Sequence, residues 1–73
     1  MDDPSESNLV ITLNGQPKSV PAGASIATLL GELNLTPDKV AVEKNRRLLK
    51  SDRYAEPLAE GDAIEIVTFV GGG

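Results

Sequence analysis

Leu9, Ile11 and Leu13 alternate with Val10, Thr12 and Asn14. This period of two is the pattern of a strand with one face against a core. Asn14-Gly15 follows, and that pair suits the two positive-φ positions of a type I′ hairpin turn. The spacing predicts a return strand over Gln16–Val20. Pro17 places it at a sheet edge or at a strand start, because proline has no N–H to give to a ladder. Pro21-Ala22-Gly23 ends it.

The period then changes. Ile26, Leu29, Leu30 and Leu33 recur at i, i+3, i+4 and i+7, one apolar stripe along a helix. Ser25 is the expected N-cap, its hydroxyl accepting from the unpaired N–H groups of the first turn. Ala27, Thr28 and Glu32 face elsewhere. Gly31 either weakens this helix or permits close approach to a strand. Pro37 disfavours helical geometry at Thr36, so the helix is expected to end by about Asn34.

Val40–Glu43 reads as a short strand, Asn45 as a turn residue and Arg47–Lys50 as a second short extended piece. Residues 51–57 read as irregular. Leu58–Asp62 reads as a turn, with Gly61 supplying the unusual backbone angle. The last strand, Ala63–Val70, is the most β-prone stretch, carrying Ile64, Ile66, Val67, Thr68, Phe69 and Val70. The helical stripe is expected to meet Leu9, Ile11, Leu13, Val40, Val42, Ile64 and Ile66. The result is an α+β domain, a mixed sheet covered by one main helix. Its ββαββ order with a short extra strand is that of the β-grasp (ubiquitin-like) fold.

Length and composition narrow this picture. Seventy-three residues make one small domain, with a stability margin of about 3–5 kcal/mol from a single core. The organisation expected is a disordered acidic lead over 1–7, the folded domain over 8–70 and a flexible Gly-Gly-Gly tail over 71–73. The lead has no apolar segment of the kind a secretory signal needs, and no apolar run approaches the ~20 residues of a membrane span. Cytoplasmic residence is the expectation. With no cysteine and no histidine, the chain has no imidazole base, no thiolate nucleophile and no zinc site of the usual kind. A net charge of −4 disfavours nonspecific binding to nucleic acid or an anionic membrane.

The chain closes on Phe69-Val70-Gly71-Gly72-Gly73. Three glycines bury nothing and leave the backbone free at both signs of φ. A strip without Cβ atoms suits a narrow groove in another protein. It is not a phosphate loop, because no helix follows it. Terminal fraying is the plain alternative.

A β-grasp order whose last hydrophobic strand runs into terminal glycines resembles the ubiquitin-like sulfur carriers. Within them the chain is similar to the ThiS family of thiamine (thiazole) biosynthesis. The resemblance rests on Val40-Ala41-Val42-Glu43-Lys44-Asn45, Tyr54-Ala55-Glu56, Gly61-Asp62, Ile64-Glu65-Ile66-Val67 and the Phe69–Gly73 ending. It covers about residues 9–73. The small subunit of molybdopterin synthase has a similar layout, but its members are usually longer and lack this ending.

The resemblance implies a carrier and co-substrate, not an enzyme. Gly73 would be adenylated with ATP by an E1-like, ThiF-type enzyme, and a sulfur donor protein would displace AMP to leave a thiocarboxylate. A ThiG-type thiazole synthase would consume that sulfur. No bound cofactor and no metal are expected, and the free carrier is expected to be a monomer. Gly71 and Gly72 would be the rest of the tail, whose three residues reach about 10 Å. If Ile64 and Ile66 face the helix, alternation puts Val67 and Phe69 on the open face. There Val67, Phe69 and Val70 are the candidate partner-binding residues, the alternative being that Phe69 covers its own domain.

Three other functions fit the same pattern: sulfur delivery to molybdopterin, a ubiquitin-like modifier conjugated through Gly73, and a β-grasp binding module with an inert tail. Two charge groupings stand apart. Lys44, Arg46, Arg47, Lys50 and Arg53 are either a solvated loop or a docking patch for an anionic surface. Glu56, Glu60, Asp62 and Glu65 either steer the tail to a basic enzyme or are ordinary surface charge. Tyr54 is expected to pack.

Overall fold

A computed structural model describes residues 8–69. The elements are β1 (Asn8–Leu13), β2 (Gln16–Pro21), α1 (Ile26–Glu32), β3 (Val40–Lys44), β4 (Arg47–Leu49) and β5 (Ala63–Thr68), with single 3-10 turns at Pro37–Lys39 and Ser51–Arg53. The second of these lies in the stretch expected to be irregular.

The strands form one five-stranded sheet in the order β2-β1-β5-β3-β4. The β1–β2 and β3–β4 pairs are antiparallel hairpins, and β5 inserts between them, parallel to β1 and antiparallel to β3. The chain's last strand is therefore the sheet's central one. Asn14 and Gly15 take φ of 50° and 84°, as the type I′ turn requires. Pro17 lies on edge strand β2, where its missing N–H costs no ladder bond.

The helix starts as its sequence dictates. The Ser25 hydroxyl accepts from the Thr28 N–H at 3.2 Å, and the Thr28 hydroxyl accepts from the Ser25 N–H at 3.3 Å. It stops one residue before Leu33. Asn34 adopts φ 59°, the Leu35 N–H donates to the Leu30 carbonyl at 2.9 Å, and the Asn34 N–H donates to the Gly31 carbonyl at 3.2 Å. This is a Schellman closure with asparagine in the left-handed position. It corrects one expectation. Leu33 falls at the C-cap and is 44% exposed, while Leu35, turned back by the closure, packs against the core.

Ile26, Leu29 and Leu30 meet Ile11, Val40, Val42, Ile64 and Ile66 in one buried cluster, with Leu9 and Leu13 at its margin. Val20, Tyr54 and Leu58 join it. Tyr54 thus packs, and Leu58 is a core residue although it sits in a turn sequence. A Cβ at Gly31 would meet nothing within 4 Å, so this glycine serves no close approach.

Candidate functional site

Among the described residues, α1 covers one face of the sheet and leaves the other open. Strand alternation sorts β5 between the two. Ile64 and Ile66 are buried, and Val67 and Phe69 stand on the open face at 60% and 57% exposure. Ala41 on β3 pairs with Val67. Leu48 on β4 pairs with Glu43 and is 69% exposed on the same face. Exposed apolar side chains clustered on one face mark an interaction surface more readily than single scattered ones do.

Nothing in the local pattern singles out Leu48. The pair Leu48-Leu49 has no alternation of its own, and only the register against β3 turns Leu49 inward and Leu48 outward. Val70, Gly71, Gly72 and Gly73 lie outside the described residues.

The end of β5 is tied on both flanks. Toward β3, the Phe69 N–H donates to the Lys39 carbonyl at 2.9 Å. Toward β1, the Asn14 side chain accepts from the Ile66 N–H at 2.8 Å and donates to the Ile66 carbonyl at 3.3 Å. Sequence alone placed Asn14 only as a turn residue.

The acidic grouping does not act as a unit. The Glu60 carboxylate accepts from the Val10 N–H at 2.9 Å. The Asp62 carboxylate accepts from the Ala59 N–H at 2.9 Å and from the Asn45 side chain at 3.0 Å. Both are spent on loop structure, and Glu65 alone of the group stands on β5. The basic grouping also divides. Lys44, Arg47, Lys50 and Arg53 line a groove of about 430 Å³ along β4 with Leu48, Leu49 and Glu56. Arg46 instead lines a second, open-face groove with Glu43 and Glu65. Cationic residues along an exposed edge strand also discourage edge-to-edge pairing. Among the described residues no group of three or more acidic side chains is placed to hold a metal ion. No described helix is long and apolar enough to cross a membrane.

A family model, that of the ThiS family, matches residues 11–73. The chain belongs to the ThiS family. It is 44% identical over 50 residues to the sulfur carrier protein ThiS of Bacillus subtilis, covering 67% of this chain and 76% of that one. It is 45% identical over 64 residues to a thiazole synthase of Magnetococcus marinus, covering 86% of this chain. The chain spans about one fifth of the length of that relative, 20%. The crystal structure of the thiamine biosynthesis protein ThiS from Geobacter metallireducens superposes with a TM-score of 0.69 at 30% identity, covering 89% of this chain and all of that one. The β-grasp expectation therefore holds.

Proposed function

We propose that this ThiS-family chain is a sulfur carrier for thiazole formation in thiamine biosynthesis, acting as a co-substrate of partner enzymes rather than as a catalyst. The supporting observation is the placement of β5. In sequence, Gly71-Gly72-Gly73 begins three residues after Thr68, the end of the sheet's central strand, and two after exposed Phe69. In this reading the folded domain runs over residues 8–70. Residues 1–7 form a lead outside it, and Gly71, Gly72 and Gly73 form the tail.

The chemistry is dictated by the weakness of a carboxylate as an electrophile. An adenylating enzyme of the ThiF type joins the Gly73 carboxylate to the α-phosphorus of ATP and releases pyrophosphate. The terminal sulfur of a donor persulfide attacks the carbonyl carbon, and AMP leaves. The new bond is C–S, and the persulfide's own S–S bond is retained. A thiol then attacks the donor's inner sulfur, breaking that S–S bond, forming a disulfide with the donor and releasing the thiocarboxylate. A ThiG-type thiazole synthase consumes it. The relation to a thiazole synthase, one fifth of whose length matches this chain, supports that partner. Val67, Phe69 and Val70 dock on these enzymes. ATP is used by the activating enzyme, and no cofactor resides on the carrier. The carrier is a cytoplasmic monomer when free, engaging neither nucleic acid nor membrane.

The test is mass spectrometry of the full chain incubated with an adenylating enzyme of this class, ATP and a sulfide source. The expected product carries the oxygen-to-sulfur mass difference at Gly73, and a chain extended by one residue beyond Gly73 gains nothing. Adducts on lysines would point to a protein modifier instead. An unmodified carboxylate under activating conditions would leave only an inert binding module.

A further inference from the structure

β1 ends at Leu13, whereas β5 runs on to Thr68. The Thr12 N–H donates to the Asp62 carbonyl at 2.9 Å, and the Asn14 N–H donates to the Ile64 carbonyl at 2.8 Å. Alternate residues of β5 thus turn their polar backbone toward β1. Ile66 is next in that phase, and no residue of β1 pairs with it.

The Asn14 carboxamide takes the vacant place. Its Oδ1 accepts from the Ile66 N–H at 2.8 Å, and its Nδ2 donates to the Ile66 carbonyl at 3.3 Å. A carboxamide offers a donor and an acceptor side by side, as a peptide unit does, so it extends the ladder by one position. Aspartate in its ionised form would keep the acceptor and lose the donor. Glycine would keep the backbone angle of 50° and lose both. Asn45 is the counterpart at the other end of β5. It is also the first positive-φ residue of a hairpin turn, and its side-chain Oδ1 accepts from the Ala63 N–H at 2.9 Å.

We propose that Asn14 is a positioning residue for sulfur loading, fixing Ile66 and through it the direction in which the chain leaves the sheet toward Gly73. This rests on the sulfur-carrier reading. Without the tie, the end of β5 is held on its β3 flank alone, by the pairing that ends with Phe69 on Lys39. An activating enzyme must then order that end as well as the tail, at an entropic cost. The reacting carbon is seven residues beyond Ile66 and is held by the enzyme once bound. The loss therefore falls on KM for the carrier and not on kcat.

The experiment compares wild type, Asn14→Gly, Asn14→Asp and Asn45→Gly as full chains with the adenylating enzyme, ATP and a sulfide source, well below their melting temperatures. It reads thiocarboxylate formation against carrier concentration, with amide hydrogen exchange at Ile66 and Leu29. Asn14→Gly is expected to raise KM about tenfold with kcat unchanged, the scale of one or two lost neutral hydrogen bonds. Exchange at Ile66 should rise by a similar factor while Leu29 is unmoved. Asn14→Asp should fall on the same side, and Asn45→Gly should lower thermal stability without changing KM. A KM for Asn14→Gly equal to wild type, an equal KM rise in Asn45→Gly, or a matching rise in exchange at Leu29 would each overturn the proposal. Wild-type carrier that takes up no sulfur would instead overturn the carrier reading, and this proposal with it.

Discussion

Asn45 and Asp62, 17 residues apart, meet side chain to side chain at 3.0 Å. Asn45 also exchanges bonds with Ala63, donating its N–H to the Ala63 carbonyl at 2.7 Å and accepting the Ala63 N–H on Oδ1 at 2.9 Å. Asp62 reaches the other way, to the Ala59 N–H. The β3–β4 turn is thereby fastened to the start of β5. Asn45→Ala removes these side-chain bonds and forces a β-carbon residue with no local partner into φ 54°. A neutral bond contributes about 0.5–1.5 kcal/mol and one to a charged group about 1.5–3 kcal/mol, less where exposed, so we expect a loss of about 2 kcal/mol in urea unfolding. Asp62→Ala should cost a similar amount, and the double variant less than the sum, because the two share a bond.

Ile64 lies on β5 and Phe69 one residue past its end, on opposite faces of the sheet, and their substitutions should separate function from stability. Ile64→Ala opens the core at a fully buried position, at a cost of about 2–5 kcal/mol. That is most of the margin of a domain this small, so the variant should be largely unfolded by circular dichroism. Phe69→Ala removes an exposed ring and should change thermal stability little, while weakening affinity for the activating enzyme by about tenfold, as loss of an aromatic anchor does. A large fall in melting temperature with normal adenylation would show that Phe69 serves its own domain.

Gly31 sits inside α1 with open space where a Cβ would be. Alanine should raise stability by about 0.5–1 kcal/mol through helix propensity and reduced freedom of the unfolded chain. A destabilised Gly31→Ala variant in thermal melts would contradict the helical geometry described for this position.

Arg46 holds φ 70°, a left-handed angle that costs a residue with a β-carbon about 1–2 kcal/mol. Arg46→Gly relieves that strain and gives back part of it as unfolded-state entropy. A net gain of about 0.5–1 kcal/mol is expected in urea unfolding. The same variant removes a cation from the open-face groove it shares with Glu43 and Glu65. Affinity for an acidic partner measured beside stability would show whether that charge is used.

The strands, the helix and its N-cap were legible in the sequence because each is set by local spacing. Period two in 9–13, the i, i+3, i+4 stripe of Ile26, Leu29 and Leu30, and the turn chemistry of Asn14-Gly15 need no distant partner. The β-grasp order and the resemblance to the ThiS family followed from those elements and the closing segment. Only the tertiary structure decided what depends on register and on neighbours far along the chain. It set β5 in the middle of the sheet, parallel to β1, since pairing between residues 51 apart, such as Thr12 and Ala63, leaves no mark in either strand's own pattern. It exposed Leu33 and recruited Leu35, because the left-handed Asn34 turned the chain back. It divided the basic and acidic groupings among separate surfaces, since sequence proximity does not fix which face a side chain leaves from. It also gave Asn14 and Asn45 a second task on β5, because the reach of a side chain across a sheet exists only once the strands have been placed.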